Sequence, residues 1–247
     1  MDNVENMLTI SIPVYNEGDN IRAELEAIHH DLTVPCIINL VYDFEEDTTL
    51  PPARETARNL GLNLVPIRNK YGRGVLNAIK TGLESATTKY VIVTMADLCD
   101  PPAVINAMVA AAEQQHADIV CASRYMRGGK QLGGPWLKGR MSRAAGLSLN
   151  WLCGLPTHDP TNSFKLYRKS FIDTIKIESD GGFEIGIELV VKAFLRHCII
   201  CEVPTTWTDR VAGQSNFKLR KWLPKYLKWY FMAFKHRKRP GNGDDIR

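Results

Sequence analysis

The sequence predicts an α/β fold with a mostly parallel central sheet. Short apolar runs, rich in β-branched and aromatic residues, alternate along the chain with helical patterns. Such alternation builds parallel βαβ units, whose right-handed crossovers bring the strands' carboxyl ends to one edge. Tyr15, Glu17, Asp43, Gly72 and Asp97 all fall at that edge, where open sheets place their ligands. At 247 residues and 45% hydrophobic content, the chain suffices for one large domain with a C-terminal appendage.

Leu8–Pro13 reads as the first strand, residues 14–20 as the turn after it, and Ile21–Asp31 as an amphipathic helix. Cys36–Tyr42 is a second apolar strand ending at Asp43. An acidic, threonine-rich turn and a helix over 51–59 follow. A third strand covers 62–67, the glycine-bearing loop 69–74 comes next, and Val75–Ser85 is helical. Residues 89–93 form a fully buried strand that ends in Thr94-Met95-Ala96-Asp97-Leu98-Cys99-Asp100-Pro101-Pro102. The two prolines stop that strand and start the helix Ala103–Gln115. The second half is less regular: a strand over 118–123, a helix Trp136–Cys153, a loop from Asp159 into a strand at Lys165, a helix over 184–195 and a last strand over 199–203.

Asp97 thus stands where an acidic residue can meet a nucleotide or its metal; equally, it can cap its own turn and Asp100 the next helix. Asp43, the Gly72–Gly74 loop and Asp97 offer the three things a nucleoside diphosphate needs: acceptors for base or ribose, groups for phosphate, and a carboxylate for a divalent cation. The glycine loop is not a P-loop, because Lys70 precedes the glycines and no Gly-Lys-Ser/Thr follows. Arg124, Lys138, Arg140, Arg143, Arg210 and Lys218 come from four segments of the second half. They read either as a phosphate grip or as solvated surface charge.

The net charge of +4 is modest, but no acidic residue lies between Asp209 and Asp244, a span rich in Lys and Arg. At about 100° per residue, Lys221, Lys225, Lys228 and Lys235 share one arc of a tail helix, opposite Trp222, Tyr226, Trp229, Tyr230 and Phe234. That helix either lies in a membrane interface, lysines towards anionic headgroups, or packs its aromatics on the core; the cluster from Lys235 to Arg239 favours the membrane. No nucleic-acid reader motif accompanies the charge. The six cysteines lie mostly in apolar surroundings, and Cys198 and Cys201 lack the second pair that a zinc site needs. A reducing compartment fits. Asp2 and Glu5 with no apolar stretch after them give no signal-peptide pattern, and no run of 18 apolar residues spans a bilayer.

Six motifs stand in one order: Pro13-x-Tyr15-Asn16-Glu17; Asp43 after an apolar strand; Met95-Ala96-Asp97-Leu98; Ser123-Arg124-Tyr125; Asp159-x-Thr161-Asn162-Ser163-Phe164-Lys165-x-Tyr167-Arg168; and Asp209-Arg210-x-x-Gly213-x-Ser215. Over about Leu8 to Lys218 the chain resembles family 2 glycosyltransferases, within them the dolichol-phosphate mannosyltransferase-like (polyprenyl-phosphate glycosyltransferase) group. The resemblance implies a GT-A fold and an inverting transfer of sugar from a GDP- or UDP-linked donor to a polyprenyl phosphate at the cytoplasmic membrane face. It implies that Pro13, Tyr15, Glu17, Asp43 and Gly72 hold the nucleotide sugar and that Asp97 sits at the diphosphate with Mg²⁺ or Mn²⁺, Asp100 being a second candidate ligand. Arg124, Lys138, Ser142, Arg210 and Lys218 would grip phosphate oxygens, with Asp97, Arg124 and Arg210 as the catalytic set. The implied division is a catalytic domain over 1–220, an interface helix over 221–239 and a flexible tail over 240–247. The protein would be peripheral on the membrane, where a small integral-membrane partner can help anchor it.

The chain departs from that family at two places. The family's Asp-Ala-Asp-x-Gln is Met95-Ala96-Asp97-Leu98-Cys99, and methionine and cysteine are poor partners for a hard cation. The family's Asp-Asp-Gly-Ser is Tyr42-Asp43-Phe44-Glu45. Two other readings compete. A saccharide or protein acceptor would need a carboxylate base, for which Glu184, Glu188 and Asp159 are the candidates. A catalytically weak nucleotide-sugar-binding scaffold is motivated by Met95 and Cys99.

Overall fold

The computed structural model describes residues 7–209 and 219–235. Among them are nine strands and eight helices. β1 (Leu8–Pro13), β2 (Cys36–Tyr42), β3 (Leu64–Arg68), β4 (Tyr90–Val93), β5 (Ile119–Ser123), β7 (Lys165–Arg168) and β8 (Ile200–Pro204) form one sheet in the order β3-β2-β1-β4-β7-β5-β8. β1 pairs in parallel with both β2 and β4, so the chain winds one way to β3 and returns across β1 to β4. That reversal opens a crevice between the carboxyl ends of β1 and β4, the usual ligand position in such sheets.

β7 is the exception: it runs antiparallel to both neighbours, β4 and β5. Its first residue, Lys165, therefore pairs with Val93 and Cys121 at the functional edge. The loop 159–164 is thereby delivered to the same rim as the carboxyl ends of β4 and β5. Alternation alone could not predict this, because an antiparallel insertion leaves no periodic mark.

Helices cover both faces. α1 (Ile21–Asp31), α2 (Leu50–Leu60) and α4 (Ala103–Gln115) pack Ile21, Leu25, Leu50 and Met108 against Ile10 and Ile12 of β1. On the other face α3 (Val75–Ser85), α6 (Lys169–Thr174) and α7 (Ile185–Leu195) join α8 (Leu219–Ala233) around Val91, Ile119 and Val190. α3 lies hard on β1: a Cβ at Gly82 would fall 1.8 Å from the Ser11 hydroxyl oxygen, so only glycine permits this approach. The two-stranded pair β6 (Lys130–Leu132) and β9 (Thr206–Thr208) was not foreseen, because both are three-residue, largely exposed runs.

α5 (Trp136–Cys153) is as expected, but only Gly146 and Leu149 of it are buried. α8 overlaps the expected interface helix over 221–233 but begins two residues earlier, and Trp229 and Ala233 sit in the core under α7. Full burial of one large apolar side chain is worth roughly 1.5–3 kcal/mol, so α8 is an integral layer of the domain. Leu227 and Phe231 of α8 face outward. Arg210, Lys218, the Lys221 side chain, Arg237–Arg239 and the tail 240–247 lie outside the described residues.

Candidate functional site

The side of the edge formed by the turns after β1, β2 and β3 is a frame of three fastened turns. Asn16 adopts a left-handed conformation (φ 54°) and its N–H donates to both Asp47 oxygens, at 3.1 and 3.2 Å. The Glu17 N–H donates to the Thr49 hydroxyl at 2.9 Å, and the Glu17 carboxylate accepts from Asn20 at 2.8 Å. Asp43 binds the second turn to the third: Asn69 Nδ2 donates to Asp43 Oδ1 at 2.7 Å, and the Gly74 N–H donates to Oδ2 at 3.1 Å. The same amide holds the Gly72 carbonyl at 2.7 Å. Pro13 is buried beneath, while Tyr15 stands exposed at the rim.

Asp97 ends the turn that leaves β4. Its Oδ1 accepts the Cys99 N–H at 3.2 Å, and Leu98 between them is held at φ 55°. A leucine in the left-handed region costs on the order of 1–3 kcal/mol, and such strain gathers at functional loops. The turn-capping and ligand-facing readings of Asp97 are therefore compatible. Asp100 does not cap α4, whose first turn has no side-chain cap; it is buried and turned towards Arg124 and Asn162. Burial lifts its carboxyl to about 7, Arg124 opposes that, and Asp97 adds to it.

Beneath this loop lies Glu24 of α1, with no exposed surface. Neither of its oxygens makes a well-formed hydrogen bond; the Thr94 hydroxyl and Leu98 amide ease its charge only partly. Burial, with Asp97 and Asp100 nearby, raises its carboxyl from 4.5 to about 8. Between those values the folded chain holds a proton that the unfolded chain has lost, so stability falls as pH rises through that window. Glu24→Gln is expected to gain on the order of 2–4 kcal/mol at pH 8–9, the gain vanishing near pH 4.5, in urea unfolding followed by circular dichroism. The sequence did carry a sign of this residue: a charged side chain in the apolar stripe Ile21, Leu25, Ile28.

On the other side, Arg124 follows β5 and is locked to Asp159. Nε and Nη2 reach the two Asp159 oxygens at 2.7 and 2.9 Å, and the Arg124 N–H adds a third bond at 3.1 Å. Burial disfavours the guanidinium charge, but Asp159 more than restores it; likewise burial raises the Asp159 carboxyl and Arg124 brings it below its ordinary value. Nη2 also reaches the Ser142 hydroxyl at 3.3 Å, and Ser142 bonds Thr161. α5 can come this close because a Cβ at Gly146 would lie 2.0 Å from the His158 carbonyl oxygen. Lys138 is exposed one turn before Ser142 on the same side of α5. Lys165, fully buried, donates to the Pro160 carbonyl at 3.1 Å. The two sides are stitched together where the Thr208 N–H donates to the Cys99 carbonyl at 3.0 Å.

Each candidate carboxylate base is already engaged. Asp159 holds Arg124; Glu184 accepts the Gly181 and Gly182 N–H groups at 2.6 and 2.7 Å. Glu188 accepts those of Glu178 and Ser179 at 2.6 and 2.8 Å, and Lys192 at 2.7 Å. Asp47, Thr49, Asn69 and Asp159 proved to be the fasteners of the site. The Glu45–Thr49 turn and Asn69 were visible in the sequence, but their partners, more than twenty residues away, were not.

Among the described residues no group of three or more His, Cys, Asp or Glu side chains converges to hold a metal. Mg²⁺ needs no such cage: one or two carboxylates plus substrate phosphates and water suffice. Asp97 fits that mode; Met95 and Cys99 add nothing to it.

The family model described as Glycosyl transferase family 2 matches residues 9–176. A dolichol-phosphate mannosyltransferase of Pyrococcus furiosus is 28% identical over 233 residues, 92% of this chain and 64% of that protein, so the chain spans just under two thirds of that relative. A polyprenol monophosphomannose synthase of Mycolicibacterium smegmatis is 27% identical over 230 residues, 89% of this chain and 85% of that one. Among solved structures, glucosyl-3-phosphoglycerate synthase from Mycobacterium tuberculosis, in complex with Mn²⁺, uridine diphosphate and glucosyl-3-phosphoglycerate, matches with a TM-score of 0.63 at 15% identity, covering 98% of this chain and 83% of that one. At that identity the likeness is one of fold.

Proposed function

This chain belongs to glycosyl transferase family 2, and from that premise we propose that it moves a sugar, with inversion, from a GDP- or UDP-linked donor to a polyprenyl phosphate at the cytoplasmic membrane face. The observation that carries the choice of acceptor is the structural engagement of Asp159, Glu184 and Glu188. A hydroxyl acceptor must lose a proton to a base, whereas a phosphate acceptor is already anionic.

In this reading the donor lies across the crevice between β1 and β4. Pro13, Tyr15, Glu17, Asp43 and Gly72 bound the nucleoside, and Asp97 faces the diphosphate. A bound divalent cation would offset the charge that develops on the leaving diphosphate. Arg124, held rigid by Asp159, is assigned to a phosphate oxygen together with Ser142 and Lys138. Arg210 and Lys218 are proposed for the same task from outside the described residues. An oxygen of the acceptor phosphate attacks the anomeric carbon as the bond to the diphosphate breaks, and the nucleoside diphosphate leaves with that electron pair. No proton passes to the protein. Its work is alignment of two anions and electrostatic relief.

Among the described residues no helix is long and apolar enough to cross a membrane. Peripheral attachment is supported by α5, where Trp136 and Trp151 are 69% and 85% exposed beside Arg140 and Arg143, and by Phe231 of α8. Large exposed aromatic side chains set among arginines suit a membrane interface. Changing Trp136 and Trp151 together to Ser is expected to lower partitioning onto anionic phosphatidylglycerol vesicles about tenfold or more in a sedimentation assay, leaving nucleotide affinity in solution unchanged. A small integral-membrane partner would serve the same anchoring.

The test is a donor panel of GDP- and UDP-sugars against undecaprenyl and dolichyl phosphates, with and without Mg²⁺ or Mn²⁺. One donor should give an extractable lipid-phosphate sugar. Donor binding with no transfer to any acceptor would support the scaffold reading instead.

A further inference from the structure

Tyr15, Phe44 and Arg73 come from three successive turns between strand and helix, and they touch. The Tyr15 and Phe44 rings meet edge to face, with centroids 5.6 Å apart and planes at 73°. The Arg73 guanidinium lies over the Phe44 ring, 4.8 Å from its centroid. Tyr15 is 58% exposed and Arg73 is exposed, so the group stands open at the rim. It is nevertheless rigidly based. Asp47 fastens the first turn to the second, and Asp43 fastens the second to the third.

Two rings near a right angle form a corner, and the guanidinium adds a flat cationic face. Such a corner suits a planar, polarizable ring rather than a phosphate. Asp43, the nearest group able to read a base by its edge, already accepts from Asn69 and Gly74. Phe44 occupies the position where the family pattern has glycine, so the corner is this chain's own.

We infer that the donor's nucleobase lies with one face and one edge in the corner of Tyr15, Phe44 and Arg73, and that Phe44 makes the site tolerant of base identity. The inference rests on the proposed donor reading, which sets the diphosphate at Asp97 and sends the base outward along β1 and β2. Stacking accepts every base because every base has a π face, whereas a site that hydrogen-bonds one edge rejects others by several orders of magnitude.

The experiment is calorimetric titration, in Mn²⁺, of the full chain and of Phe44→Gly and Phe44→Tyr with uridine diphosphate, guanosine diphosphate and inorganic pyrophosphate. The two nucleotides should bind the unaltered chain within about tenfold of each other. Phe44→Gly should weaken both on the order of tenfold, Phe44→Tyr should restore them, and pyrophosphate affinity should stay the same in all three, which also reports an intact fold. Unchanged nucleotide affinity in Phe44→Gly, or a preference above about a hundredfold for one base in the unaltered chain, overturns the inference while leaving the proposed function standing. Pyrophosphate binding without binding of either nucleotide overturns both.

Discussion

Asp97→Ala is expected to reduce sugar transfer by about a thousandfold, with the chain still folded and unfolding within about 1 kcal/mol of the unaltered protein. Asp97 is half-buried on a strained turn, where it accepts the nearby Cys99 N–H. Removing it takes away a local turn bond and relieves repulsion on Glu24 and Asp100, whose carboxyls it helps to raise. Those effects on stability oppose one another. The effect on transfer has no such offset, because Met95 and Cys99 cannot take over a hard cation or its charge. Steady-state transfer with saturating acceptor, beside urea unfolding, separates the two. Transfer within tenfold of the unaltered protein would remove Asp97 from the chemistry.

Asp159→Ala is the change expected to damage the fold most. Asp159 has no exposed side-chain surface, and it receives Nε, Nη2 and the backbone N–H of Arg124 as well as the Asn162 N–H. Deleting one partner of a buried pair leaves the other charge uncompensated and costs about 3–5 kcal/mol. Arg124 would then keep the Ser142 and Thr161 hydroxyls, the Tyr125 ring and the electrostatic pull of Asp100. The midpoint of urea unfolding should fall sharply, and any protein that remains folded should show weakened acceptor use, since Arg124 is no longer fixed. Asp159→Asn, which keeps the shape and loses the charge, should be milder in stability. A loss below about 1 kcal/mol for Asp159→Ala would mean that the ion pair is not what fixes the loop 159–164.

The parts of this molecule governed by local pattern could be read from the sequence. α1, α3, α4 and α5 begin and end where apolar periodicity and punctuation put them, as do β1 and β2. The placing of Asp43 and Asp97 at one edge followed from the parallel pairing of β1 with β2 and β4. What depended on distant contacts was not legible. The reversal of β7 is set by its two neighbours, and without it Asp159 would not reach Arg124. The partnership of β6 with β9 joins exposed segments far apart in the chain, where no hydrophobic pattern fixes register. In α8 Trp229 turns to the core while Leu227 and Phe231 face outward, and further apolar side chains are exposed on α5. A sequence shows that a helix has an apolar side; what covers that side is a tertiary fact.

The central claim is that the acceptor is a preformed anion and that no side chain must deprotonate it. Offering the enzyme equal amounts of undecaprenyl phosphate and undecaprenol in the same detergent, with one labelled nucleotide sugar, tests it most directly. Label on the phosphate only is the predicted result. Label on the alcohol at a comparable rate would contradict it.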